Sequence, residues 1–273
     1  MIRRIASWLA AHGVTDLVLN LHHRPETITA VLGDGRDLGV SVRYSWEQPR
    51  LLGSAGGPRL ALPIIGADRF FVINGDTLTN VDLAAMAAAH TESGALVTLA
   101  LVPNREFARY GGVRVDERGR VTGFARRGPD SAGTWHFVGV QIVNAAVFAE
   151  LPAGAPASTI GGIYDNLIRI GPGTIRAFQT DAAFFDVGTA EDYLRTSQAF
   201  LASERVDAGR RVTIDPSARL VRSILWDDVV VGAGASLTDC IVADGVQVPP
   251  GSEFRESVLT RRHDRLIVHP LAR

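Results

Sequence analysis

Along the first two hundred residues the apolar positions change period several times. Ile2, Ile5, Trp8 and Leu9 recur at helical spacing and predict a helix that Gly13 stops. Residues 16–21 form an apolar run with a polar start, the pattern of a buried parallel strand. Pro25 opens a second helix ending near Gly33, and residues 40–44 read as strand. Gly56 and Gly57 precede a short helix reaching Leu62, and residues 69–73 are apolar again, followed by Asn74-Gly75-Asp76. Asp82 is placed to cap a helix to His90, and residues 95–102 give another strand. Strands alternating with helices in this way predict an α/β layer with helices on both faces of a sheet.

Past residue 103 the texture shifts. Residues 111–115, 121–126 and 134–143 read as short strands separated by turn signals, an antiparallel insertion able to form a pocket wall. Helices are predicted over 145–150 and 162–170. Phe184-Phe185-Asp186 ends a strand, and Thr189 or Glu191 starts a helix running to about Ser203.

The tail follows a different rule. Apolar residues fall at Ile214, Leu220, Leu225, Val231, Leu237, Val242, Val248, Phe254 and Leu259, in steps of five or six that repeat every 17 residues. Other columns keep the register: Val212, Val229 and Val246, or Ser223, Cys240 and Ser257. The expectation is a three-sided coil, each turn stacking its apolar residues on the turn below, with Cys240 inside it. The chain thus divides into an α/β domain over 1–204 and a hexapeptide-repeat tail over 205–273.

Composition narrows the classes of function. The 273 residues carry 29 acidic and 28 basic side chains, which gives no electrostatic case for nucleic acid or an anionic membrane surface. Every basic residue is Arg. Cys240 is the only cysteine, so neither an internal disulfide nor a cysteine zinc site is available. No apolar run approaches membrane-spanning length and no signal-peptide core opens the chain; the expected location is the cytoplasm.

The strongest candidate for chemistry is Asn74-Gly75-Asp76, directly after a strand, where open α/β sheets place their ligands. Asp76 can ligate Mg²⁺ shared with substrate phosphates, or the segment can be a turn that satisfies its own backbone. Asp186, at another strand end ahead of a helix, offers the same two readings. Gly53-Ser54-Ala55-Gly56-Gly57 has neither Walker nor dinucleotide-binding spacing, yet its backbone could clasp a base or approach phosphate. Arg126-Arg127 is either a solvated pair or a clamp for anionic phosphate. His22-His23 lacks the spacing of a metal motif.

In order and spacing these segments resemble the sugar-1-phosphate nucleotidyltransferase family, especially its mannose-1-phosphate guanylyltransferase-like branch. The stretches that carry the likeness are 13–23, Tyr44-Ser45-Trp46-Glu47, 52–57, Asn74-Gly75-Asp76, Tyr110-Gly111-Gly112-Val113, Phe137-Val138-Gly139-Val140 and Phe185-Asp186-Val187-Gly188-Thr189. The resemblance implies a Rossmann-like layer fold followed by a short left-handed parallel β-helix, which matches the 17-residue period and offers a surface for homo-oligomers. It implies Asp76 and Asp186 as Mg²⁺ ligands, with Gly53, Ser54, Ala55, Gly56 and Gly57 at the nucleotide base. Glu47 and Gly139 fall near base or sugar, and Asn74 and Gly75 beside them. Arg127 stands where the family has a sugar-phosphate-binding Lys, and Arg126 where it has a Glu.

The implied reaction joins an NTP and a sugar 1-phosphate, giving NDP-sugar and pyrophosphate. The family opens with a strand and a glycine-rich, Arg-containing loop that precede the helix at 2–12, and neither is present in this sequence. The expectation is that a gene product extended upstream by about 30 to 40 residues restores that phosphate-binding loop, and that the 273-residue form lacks sustained transfer. A non-catalytic regulatory or structural homologue that keeps nucleotide affinity is the alternative.

Overall fold

The computed structural model describes residues 1–200, 207–263 and 265–271. The chain forms two compact units, Met1–Phe184 and Phe185–Arg273. The boundary expected between 204 and 205 lies outside the described residues. Among these, no helix is long and apolar enough to cross a membrane.

In the first unit, α1 (Ile2–Ala11), β1 (Asp16–Leu21), α2 (Pro25–Leu32), β2 (Ser41–Trp46) and α3 (Gly53–Ile65) come first. β1 and β2 pair in parallel as a sheet of their own, joined to no other strand among the described residues. β3 (Arg69–Ile73), β4 (Thr77–Thr79), α4 (Leu83–Ser93), β5 (Val97–Pro103), β6 (Gly112–Val115), β7 (Val121–Ala125) and β8 (Trp135–Asn144) follow. After α5 (Ala146–Ala149) and α6 (Tyr164–Ile170), β9 (Ile175–Gln179) completes the main sheet. Its order is β7-β6-β8-β5-β9, with β3 also on β8. β8 is antiparallel to β3, β5 and β6, whereas β5 and β9 are parallel, so the sheet is mixed.

β5 explains where the core sits. Six of its seven residues are buried, as a strand covered on both faces must be. Val97, Leu99 and Leu101 pack with Val143, Ile175, Phe148 and Tyr164. α4 starts as its sequence requires, with the Asp82 carboxylate accepting the Ala85 N–H at 2.9 Å.

The glycine stretch departs from expectation. α3 begins at Gly53, so Gly56 and Gly57 lie inside the helix instead of ahead of it. The cause is packing. A Cβ on Gly56 would stand 2.6 Å from the Ala155 carbonyl oxygen, and one on Gly57 would run into the side chains of Asn20 and Glu47. Helix propensity is given up here for close approach.

His90, 2 % exposed, sits beneath the main sheet with Nδ1 2.7 Å from Thr98 Oγ1 and Nε2 3.2 Å from Asn144 Oδ1. Burial, reinforced by the Arg69 charge, lowers its pKa despite the opposing bond to Asn144. The unfolded chain therefore takes up a proton below the ordinary histidine pKa that the folded chain refuses, and stability falls as pH drops through that range. Denaturant midpoints between pH 7 and pH 5 should show this slope, reduced in His90→Gln. Equal slopes in the two proteins would remove His90 as its source.

In the second unit, β10 (Phe184–Asp186) carries the chain over from the first, and α7 (Ala190–Phe200) precedes the coil. Residues 17 apart pair in parallel throughout: Asp207 with Ile224, Thr213 with Val230, Arg219 with Ser236 and Ile224 with Ile241. Leu225, Val242 and Leu259 occupy successive positions of one column and are all buried. Corners use left-handed backbone in register, at Arg211, Asp228 and Gly245 and again at Arg222, Asp239 and Glu256. Ion pairs bridge the same spacing, Arg210 to Asp227, Arg211 to Asp228 and Arg222 to Asp239. Cys240 is fully buried, with its thiol pKa raised by that burial. Ile214 is exposed although its column partners Val231 and Val248 are buried.

Candidate functional site

The main sheet opens along one edge of β8. β3 pairs with the distal half of that edge and ends with Ile73 opposite Val140. One step on, the Asn74 N–H donates to the Gly139 carbonyl at 2.8 Å, and Asn74-Gly75-Asp76 leave the sheet. β6 takes the proximal half, with Val113 opposite Trp135. Between the two strand ends residues 136–139 of β8 pair with no strand on that edge. Strand ends that part in this way leave the kind of crevice in which α/β sheets hold ligands.

Gly139 has φ of +79°, and a Cβ there would come within 2.9 Å of the Asn74 side chain. Both the backbone conformation and the close approach require glycine. Across the opening, β7 ends at Ala125 opposite Gly112. Arg127 follows two residues later, its backbone nitrogen 3.9 Å from where a Gly111 Cβ would lie. The fold therefore sets Asn74-Gly75-Asp76 beside Gly139, and Arg127 beside Gly111 past the end of β7.

Asp76 and Arg127 are both exposed, and neither side chain makes a hydrogen bond or ion pair among the described residues. An uncommitted carboxylate is a hard oxygen donor suited to Mg²⁺, which takes one or two protein carboxylates and completes its shell with water and substrate phosphate. No group of three or more His, Cys, Asp or Glu side chains is poised for a metal among the described residues, and Mg²⁺ does not need one. Asp186 is half-buried and belongs to the second unit.

Glu47 is placed otherwise than an open binding residue. It is 1 % exposed, and its two carboxylate oxygens accept from the Asn20 amide and from the Leu52 N–H at the start of α3. A buried negative charge there also faces the positive end of the helix. The donors of the glycine stretch are similarly occupied: Ala55 N–H and Gly56 N–H both reach the Ala157 carbonyl, at 2.9 and 3.3 Å. Ser54 Oγ accepts the Thr159 N–H at 2.9 Å. Ala55, Gly56 and Gly57 are buried, while Gly53 is half-open and Ser54 exposed. Among the proposed base contacts, only these last two present a surface.

Sequence reasoning passed over Asn20, which interrupts an apolar strand. It also passed over Asn104 and His136, and gave Tyr110 no role beyond the family likeness; all three line one cleft. The polar break in residues 16–21 was the local signal for Asn20.

A family model described as nucleotidyl transferase matches residues 1–203. Mannose-1-phosphate guanylyltransferase of Mycobacterium tuberculosis is 28% identical over 262 residues, which cover 92% of this chain and 73% of that protein. D-glycero-alpha-D-manno-heptose 1-phosphate guanylyltransferase of Aneurinibacillus thermoaerophilus is 32% identical over 191 residues, 70% of this chain and 80% of its own length. In three dimensions the chain is similar to HddC of Yersinia pseudotuberculosis, solved in complex with GMP-PN. That likeness has a TM-score of 0.63 at 24% identity and covers 73% of this chain and 85% of that one.

Proposed function

Because the chain belongs to the nucleotidyl transferase family, we propose that it joins an NTP and a sugar 1-phosphate into an NDP-sugar and releases pyrophosphate, with GTP and mannose 1-phosphate as the preferred pair. What supports this reading is that Asn74-Gly75-Asp76 leave the sheet beside Gly139 on β8, with Arg127 following β7 beside Gly111. The guanylyltransferases among the relatives support the choice of nucleotide.

In the proposed reaction an oxygen of the sugar phosphate attacks the α-phosphorus of the NTP. The bond from that phosphorus to the bridging oxygen breaks, and its electron pair leaves with pyrophosphate. Asp76 and Asp186 are the carboxylates that would ligate Mg²⁺, which when bound would neutralise charge on the phosphates. Arg127 orients the attacking sugar phosphate through its planar guanidinium, a positioning effect that raises effective concentration. Gly139 leaves room for Asn74, and Glu47 acts indirectly by fixing the start of α3. We read the 17-residue coil as a left-handed parallel β-helix and as a surface for self-association.

Arg127 gives the test. Arg127→Ala should raise KM for the sugar 1-phosphate by about tenfold or more and leave KM for the nucleotide unchanged. Arg127→Lys should recover part of the loss, because it restores charge without the fork. A parallel rise in both KM values would deny Arg127 this role.

A further inference from the structure

Between β7 and β8 the chain makes one short excursion, and it carries two arginines. Ala125, the last residue of β7, pairs with Gly112. Shortly after, the Gly128 N–H donates to the Phe107 carbonyl at 2.7 Å. Arg126 and Arg127 are thus a short bridge, tied to β6 at one end and to the segment before β6 at the other. Both side chains are exposed. A bridge this short keeps few backbone conformations once its ends are held, so the anchors decide where the arginines stand.

Ser131 makes the second anchor. From 126 to 133 the chain is exposed or half-exposed except at this residue, which is 0% exposed. A single 3-10 turn over Pro129–Ser131 returns the chain to Gly128, whose carbonyl accepts the Ser131 N–H at 3.0 Å. The Ser131 hydroxyl lies 2.9 Å from that same carbonyl, 3.1 Å from the Phe107 carbonyl and 3.2 Å from the Tyr110 carbonyl. Carbonyl oxygens repel one another, and a hydroxyl proton at their focus lets them approach. A methyl group in its place would leave their partial negative charges facing each other in a buried gap.

The fit is as close on the other side of the turn. Thr134 Oγ1 donates to the Ser131 carbonyl at 2.6 Å. A Cβ on Gly112 would run into Thr134 Oγ1 and stand 2.9 Å from Ser131 Cβ. The turn therefore closes on Gly112, the residue that also pairs with Ala125. Both ends of the arginine bridge meet at one joint, with the Ser131 hydroxyl buried inside it.

We infer that Ser131 is a positioning residue for Arg127: its hydroxyl locks the two-arginine bridge to the segment before β6 and so holds Arg127 ready for the sugar phosphate. The inference rests on the sugar 1-phosphate reading above. Ser131 touches no substrate in this role and acts through orientation alone.

Its test is a cycle of wild type, Ser131→Ala, Arg127→Ala and the double variant, with KM measured for each substrate in turn. Ser131→Ala should raise KM for the sugar 1-phosphate about fivefold and leave KM for NTP unchanged. In the Arg127→Ala background the same change should add less than about twofold, because the residue it positions is gone. Hydrogen exchange at the Gly128 amide gives a readout independent of turnover, and Ser131→Ala should speed it about tenfold. Ser131→Cys, a weaker donor, should fall between, and it serves the same cycle if the alanine variant does not fold. Unchanged exchange at Gly128, an equal loss with and without Arg127, or a parallel rise in KM for NTP would overturn the role of Ser131 while leaving the reaction intact. So would wild-type KM values in Ser131→Ala. Wild-type KM for the sugar 1-phosphate in Arg127→Ala, or no turnover by wild type on any sugar 1-phosphate, would overturn the underlying reading and this inference with it.

Discussion

Asp76→Asn should lower pyrophosphate release by about a thousandfold in the full-length protein, and Asp186→Asn by a comparable factor. The expectation follows from charge. A neutral amide is a poor partner for Mg²⁺, and several phosphate charges must be offset at once in the transition state. Asp76 is exposed and bonded to nothing among the described residues, so its replacement should not move the thermal unfolding midpoint. That separates loss of chemistry from loss of fold. Titration calorimetry with Mg-NTP should show weakened binding in both variants. Wild-type affinity and turnover in both would remove the two carboxylates from the reaction.

Glu47→Ala should act on the fold. It leaves the Leu52 N–H buried without an acceptor, opens a void beside Gly57 and strips a negative charge from the helix start. Together these should cost about 3 kcal/mol. The loss is read as a lower urea midpoint, with a smaller change in Glu47→Gln, which keeps one acceptor and the side-chain volume. Stability of the alanine variant within about 0.5 kcal/mol of wild type, the range of a neutral surface change, would show that the carboxylate holds nothing.

These two residues also show what the sequence could and could not disclose. The place of Asp76 just past a strand end was legible because its surroundings are local: an apolar strand, then a glycine, then a short acid. The coil was legible for the same reason, since each rung repeats its neighbour and the pairing of Leu225, Val242 and Leu259 needs no distant partner. Glu47 was not. A glutamate beside Trp46 and Gln48 carries no mark of burial, because the groups that neutralise its cost come from Asn20 and from the N-terminus of α3. The glycine stretch misled for a related reason. Gly56 signals a turn locally, whereas its use is to admit the chain at 155–157, about a hundred residues away.

The most direct test of the proposed reaction is simultaneous quantitation of pyrophosphate and NDP-sugar from the full-length protein with Mg²⁺. GTP with mannose 1-phosphate comes first, then UTP or dTTP with glucose 1-phosphate and related amino sugars. The account predicts one pyrophosphate for each NDP-sugar, dependent on both substrates and fastest with the first pair. Pyrophosphate release that ignores the sugar 1-phosphate, or no NDP-sugar from any pair while nucleotide still binds, would contradict it and favour a non-catalytic nucleotide-binding homologue.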